Sequence, residues 1–171
     1  MNKHQFLSVD IQSTVKMTPG QKKKIQQWLG WASETLEEVF QDIVPQPDIS
    51  EISVSLLICG EGKIKALNKA HRQKDKVTDV LSFPNFESLR TKKPRHSGPV
   101  FLGDLAICHQ KTVSQAKEFN ITYWDEFIHL FFHGVLHLVG FDHEISAKEE
   151  KLMEKLEDKL LTTFSSKKKG A

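Results

Sequence analysis

The stretch that most constrains this 171-residue chain is Tyr123 to His143, YWDEFIHLFFHGVLHLVGFDH, apolar enough for a core yet carrying four histidines. Its apolar residues recur at helical spacing. Thr122 stands in N-cap position with Asp125 three residues later, a capping-box pattern. Gly140 supplies a residue that tolerates the left-handed conformation in which helices commonly end. The spacing therefore predicts a helix from Thr122 to Gly140. On a helix, side chains at i and i+4 lie one above the other. His133 and His137 then present two imidazoles to one point, and after the turn at Gly140 His143 can swing back as a third. Three imidazoles with an open fourth position form the pattern of a catalytic zinc site, because a structural site is normally closed by a fourth protein ligand.

The spacing His-x3-His-x2-Gly-x2-His is also that of the metzincin proteases. In them a glutamate general base follows the first histidine. Here that residue is Gly134, which cannot take a proton, so the pattern points to a metal hydrolase of another class. His129 falls on the same helix face one turn earlier and reads as a residue behind the ligands or as a packed core histidine. Asp142, beside His143, either orients an imidazole through its free N–H or shapes the turn.

The remainder of the chain supplies a scaffold for that helix. Residues 5–14 partly alternate and read as a strand. Thr18-Pro19 is a cap followed by proline at the first helical position, and apolar residues from Ile25 to Phe40 recur at helical spacing. Pro45 and Pro47 make a break. Ile52, Val54, Leu56 and Ile58 alternate as a strand, and Gly60 and Gly62 lead into a short helix carrying Ile64, Leu67 and His71. Val77–Phe83 is a second β-rich run, stopped by Pro84. Residues 84–99, with Pro94 and Pro99, form a long basic loop, a kind that in compact domains is usually functional or mobile. Val100–Cys108 is another strand, and His109–Phe119 is helical. Ser146 and Glu149 form a second capping-box pattern before a helix carrying Leu152, Leu156, Leu160 and Leu161. Interleaved strands and helices indicate one domain over 1–164, a mixed sheet with helices packed on it, followed by a disordered basic tail over 165–171.

Composition removes several classes. No run approaches the roughly 18 apolar residues of a membrane span, and Met1–Ser13 lacks the pattern of a secretory signal. Cys59 and Cys108 have no CxxC spacing, which argues against a disulfide framework and for a reducing, cytoplasmic compartment. The net charge of +2 does not announce a nucleic-acid binder. Lys63, Lys65, Lys69, Lys74 and Lys76 nonetheless cluster around Arg72, either as a groove that tracks an RNA backbone or as a solvated helix face. Phe83 and Phe86 read as base-stacking or core residues. Trp28, Trp31 and Trp124 read as helix–sheet packing.

Three blocks together resemble the YbeY family, single-strand-specific endoribonucleases also called rRNA maturation factors. They are His133-Gly-Val-Leu-His137-Leu-Val-Gly-Phe-Asp-His143; Leu67-Asn68-x3-Arg72-x2-Asp75-x2-Thr78-Asp79-Val80-Leu81-Ser82-Phe83-Pro84; and Leu102-Gly103-Asp104-Leu105-Ala106-Ile107. Phe141 stands where the family commonly has tyrosine, which removes one hydroxyl. The resemblance implies an α+β fold with a central, mostly parallel four-stranded sheet flanked by helices and a zincin-like metal helix. It implies one Zn2+ on His133, His137 and His143, and it assigns Arg72 to RNA cleavage. It further implies maturation of the 3′ end of small-subunit (16S-type) rRNA and ribosome quality control, with rRNA precursor and the small ribosomal subunit as partners. No membrane partner and no dinucleotide cofactor are expected. Arg72 is one of three arginines among 24 basic residues, and its planar fork suits a phosphoryl group better than lysine does. For the nucleophile, a metal-bound hydroxide and the ribose 2′-hydroxyl both remain open. Asp104 and Asp142 are the candidates for a general base. A metalloprotease, or another amide hydrolase, and a ribosome-assembly binding factor with a structural metal are the competing readings.

Overall fold

The computed structural model describes residues 5–44, 49–91 and 98–170. Pro45, Pro47, Pro94 and Arg95 lie outside the described residues. In chain order the elements are β1 (Leu7–Ser13), α1 (Pro19–Ile43), β2 (Ile52–Cys59), α2 (Glu61–Arg72), β3 (Val80–Pro84), β4 (Val100–Cys108), α3 (His109–Glu118), α4 (Tyr123–Val139) and α5 (Ala147–Lys169). The sheet order is β1-β2-β4-β3, with β1, β2 and β4 parallel and β3 antiparallel to β4. This is the α+β fold with a mostly parallel four-stranded sheet that the sequence led us to expect. None of the described helices is long and apolar enough to cross a membrane.

The period of two in β2 explains how the layers form. Ile52, Val54, Leu56 and Ile58 face a core shared with α1, α4 and α5. Leu57 and Cys59 face the opposite side, where they meet Ile64 and Leu67 of α2. Helix α1 opens as a complete capping box: Thr18 Oγ1 accepts from Gln21 N at 3.2 Å, and Thr18 N donates to Gln21 Oε1 at 2.8 Å. It runs three residues past Phe40 because Ile43 continues the buried stripe. Helix α4 lies between the sheet strands β3 and β4 and helices α1, α3 and α5. Phe127, Phe131, Phe132, Val135 and Leu136 are therefore all buried. Each burial of that kind contributes roughly 1.5–3 kcal/mol.

Further boundaries differ from the sequence reading. β3 begins at Val80 rather than Val77, because the Asp79 carboxylate accepts from Val80 N (2.8 Å), Thr78 Oγ1 (3.2 Å) and Gln115 Nε2 (2.9 Å) and fixes a turn there. The strand includes Pro84, which is tolerated because β3 is an edge strand. The expected disordered tail over 165–171 is instead helical through Lys169. Lysines there favour the negative end of the helix dipole. Lys167 also pairs with Glu38 (2.6 Å) and Lys168 with Asp125 (3.1 Å), which ties the end of α5 to α1 and α4. Trp28 meets Trp31, Trp124 and Phe164, and Trp31 also meets Phe164, so these rings pack helix on helix rather than helix on sheet.

Candidate metal centre

Helix α4 carries His133 and His137 one turn apart, and it stops where the sequence placed the stop. Gly140 has φ 107°, and its N–H and that of Phe141 close on His137 O (3.1 Å) and Leu136 O (3.0 Å). Asp142 Oδ1 accepts from Glu144 N at 2.9 Å, so this side chain shapes the turn. His143 is thereby returned to the helix, with ring centroids 5.4 Å from His133 and 5.2 Å from His137. One nitrogen from each of the three rings falls within 4.8 Å of the others, and His133 Nε2 and His137 Nε2 are 3.1 Å apart. Three imidazoles on a tetrahedral zinc have nitrogens roughly 3.4 Å apart. The donor set thus fits a borderline-soft divalent ion with little rearrangement. Burial, together with the His133 and His143 rings, pushes His137 down to about 4, so near neutrality it is uncharged with a lone pair to donate.

Residues 85–91 of the long loop clamp this turn. Leu89 N donates to Val139 O at 3.1 Å, and Ser88 packs so closely on Gly140 that a Cβ there would lie 3.0 Å from Ser88 Cα. The Arg90 guanidinium lies 4.0 Å over the Phe141 ring and donates to Glu149 at 2.6 and 3.3 Å. Glu149 had read as half of a capping box. Its carboxylate turns to Arg90, while Ser146 Oγ still accepts from Glu149 N at 3.2 Å.

Gly134 lies against β4. A Cβ on it would come 2.7 Å from Leu105 Cδ2, and its carbonyl accepts from Ser82 Oγ at 3.4 Å. The position that holds a glutamate base in metzincins is thus tight against Leu105, and even a methyl there requires that side chain to move.

Behind His133 stands a residue the sequence reading missed. Glu157 of α5 accepts from His133 Nδ1 at 2.5 Å and lies 3.9 Å from His129 Nε2. His129 Nδ1 in turn donates to Glu126 Oε2 at 3.4 Å. Hydrogen bonds to Glu126 and Glu157 raise His129 to about 10, so it is a cation between two carboxylates. Burial alone would raise Glu157, but the two histidines hold it down at about 2. A signal was available in the sequence: Glu157 is an acid set beside the apolar stripe Met153, Leu156, Leu160 of an amphipathic helix.

The three histidines open into a cavity of about 570 Å³ whose wall also includes Asn68, Arg72, Lys74, Lys76 and Asp79. Arg72 Nη2 donates to Ser82 O at 3.2 Å, which leaves other guanidinium donors to face the cavity. Asn68 Nδ2 donates to Lys76 O at 2.9 Å and pins the segment bearing the two lysines. The lysine cluster is split. Lys74 and Lys76 line the cavity, whereas Lys65 and Lys69 are turned to Asp75 at 3.8 and 3.1 Å. Lys63 is likewise absent from the cavity wall. Asp104 is not brought to the histidines: it is exposed on the α2 side of the sheet, in a separate hollow with Leu57, Leu67, His71 and Phe83. Phe83 packs edge-on against His71 at 5.0 Å, and Phe86 packs against the main core.

The family model for Endoribonuclease YbeY matches residues 15–165, nearly the whole described chain. The chain belongs to the YbeY family. Among YbeY relatives, the endoribonuclease YbeY of Thermodesulfovibrio yellowstonii is 44% identical over 111 residues, 65% of this chain and 66% of that protein. That of Leptospira interrogans is 41% identical over 122 residues, 66% of this chain and 86% of that one. That of Aquifex aeolicus is 34% identical and covers 84% of both chains. A solution structure of a Thermotoga maritima protein superimposes with a TM-score of 0.55 at 27% identity, covering 95% of this chain and 93% of that one. The resemblance seen in the three sequence blocks is therefore a family membership that spans the fold and the histidine cluster.

Proposed function

We propose that this protein is a zinc-dependent endoribonuclease that cuts single-stranded RNA. In this reading His133, His137 and His143 hold the ion and Arg72 meets the scissile phosphate. The observation that carries the reading is that three convergent imidazoles and Arg72 share one cavity, together with membership of a family named for endoribonuclease activity. When bound, a three-histidine zinc supplies a Lewis acid and lowers the pKa of its water toward about 7. The protein's own residues do the rest. Arg72, anchored on Ser82 O, presents a planar fork to the charge that develops on phosphoryl oxygens. Lys74 and Lys76 offer point charges to neighbouring phosphates along the strand. The cavity is walled on one side by β3 and on the other by the turn bearing Asp142, His143 and Glu144, and the preference for an unpaired strand is what the family resemblance implies.

The substrate we assign is the precursor of small-subunit rRNA, at its 3′ end, with the small ribosomal subunit as partner and a part in ribosome quality control. A cytoplasmic location accords with Cys59 and Cys108, which are paired in register on adjacent strands yet remain free thiols. The test is cleavage of single-stranded and duplex RNA by the zinc-loaded protein and by Arg72→Ala. The variant should keep its zinc and lose about 10²–10³ in rate, the usual effect of removing one charge-stabilising donor. Normal cutting by Arg72→Ala removes the assigned role, and a zinc-loaded protein that binds RNA without cutting it identifies a binding factor instead.

A further inference from the structure

We propose that Glu157 is a positioning residue for the metal centre, holding His133 in the one tautomer and ring orientation that aims Nε2 at the ion, and that His129 and Glu126 extend this hold across α4. The inference rests on the metal reading above and adds a residue outside the ligand segment. A carboxylate only accepts hydrogen bonds, so a contact of 2.5 Å to Glu157 Oε1 places the ring proton of His133 on Nδ1. Nε2 then bears the lone pair, and Nε2 is the atom 3.1 Å from its counterpart on His137. A 180° ring flip would put Cε1 where Nε2 faces the cluster and Cδ2 where Nδ1 meets Glu157, so the bond to Glu157 fixes orientation as well as protonation.

Glu157 is itself held. Its other oxygen lies 3.9 Å from His129 Nε2, and His129 Nδ1 lies 3.4 Å from Glu126, which is 1% exposed. Carboxylate, imidazole, carboxylate and imidazole alternate from the first turn of α4 to the metal centre. Two of the four links leave the short segment that carries the ligands: Glu157 comes from α5, and Glu126 sits at the buried start of α4. The side chain of Glu157 is 16% exposed, so the link is partly shielded from water.

The test is a zinc titration against a chelating indicator on the full chain, comparing wild type with Glu157→Gln, Glu157→Asp, Glu126→Gln and His133→Ala. Glu157→Gln should weaken zinc binding about 10–100-fold, the usual effect of removing such a partner. Its cobalt-substituted form should show a shifted visible spectrum; its metal-free unfolding midpoint should also fall, because His129 loses one of its two carboxylate partners, so the titration is run on protein shown to be folded by circular dichroism. Glu157→Asp keeps the charge and should recover part of the affinity, whereas Glu126→Gln should lose less than Glu157→Gln. Zinc affinity within twofold of wild type, with an unchanged cobalt spectrum in Glu157→Gln, overturns the proposal. Wild type that binds no better than His133→Ala overturns the metal reading instead. Nitrogen NMR of the zinc-loaded wild type decides even if the variants fail to fold: a protonated Nδ1 on His133 with metal-bound Nε2 upholds the assignment, and the reverse refutes it.

Discussion

Gly134→Ala isolates the contact that sets the depth of the ligand helix. In a helix interior, replacing glycine by alanine stabilises by about 0.8–1 kcal/mol. Here the new methyl would sit 2.7 Å from Leu105 Cδ2 and 3.2 Å from Cδ1, and Leu105 is 1% exposed, so its side chain must shift within the core to admit the methyl. Overpacking of that kind costs about 1–3 kcal/mol, so the net expectation is a loss of up to about 2 kcal/mol. The sign reverses once the obstacle is removed. In a Leu105→Ala background, itself destabilised by about 2–5 kcal/mol, Gly134→Ala should stabilise by about 1 kcal/mol. The assay is urea unfolding of the four metal-free proteins, read as a double-mutant cycle. A coupling energy of roughly 1–3 kcal/mol is expected, whereas additivity within about 0.5 kcal/mol would refute the claim that α4 rests on Leu105 through this glycine.

Further expectations concern the turn, the ion and pH. Arg90→Ala should lower stability by about 1.5–3 kcal/mol and weaken zinc binding with helix content unchanged, because charged hydrogen bonds to Glu149 and the cover over Phe141 are lost. Thermal unfolding and chelator competition check this, and a variant equal to wild type in both contradicts the clamp. Zinc at about 100 times its dissociation constant should stabilise the protein by about 2.7 kcal/mol, an increment that His143→Ala should abolish in the same unfolding assay. In the metal-free protein His137, held at about 4, takes up its proton later than the unfolded chain does, so stability falls as pH drops from about 6.5 toward 4. His129, raised to about 10, contributes stability that is complete below about 6.5 and is lost as pH rises through 10. Denaturant midpoints should therefore peak near neutrality, and His129→Gln should flatten the alkaline limb. An alkaline limb unchanged in that variant rules the assignment out.

The histidine triad was legible because all three rings come from one continuous helix and the turn that ends it, so local periodicity and a single glycine were enough. The same holds for the Thr18 and Thr122 caps, which depend on residues three apart. What escaped was set by packing between distant segments. Glu157 lies 24 residues from His133 and reaches it only because α5 folds back on α4. Asp104 is a base candidate in the sequence and equally a strand-edge residue, and the pleat puts it on the α2 side while its neighbour Leu105 faces α4. For Lys65 and Lys69 a groove and a solvated helix face both fit the sequence, and the turn after α2, which brings Asp75 to them, favours the second. The lysine tail read as polar and unstructured, yet Glu38 and Asp125, on other helices, give its charges partners.

The outer edge of β3 carries a last consequence. Asp79 O and Asn85 N bond to β4, so the alternate residues 80, 82 and 84 direct their peptide groups away from the sheet. An incoming polypeptide could add there only through those groups. Arg72 already occupies the carbonyl of Ser82, and Pro84 has no N–H to offer. Two of the groups that β-augmentation, the usual way in which a sheet border captures an extended peptide, would use at the rim of the cavity are therefore missing. The same deficit weakens pairing of a second strand along this border of the sheet.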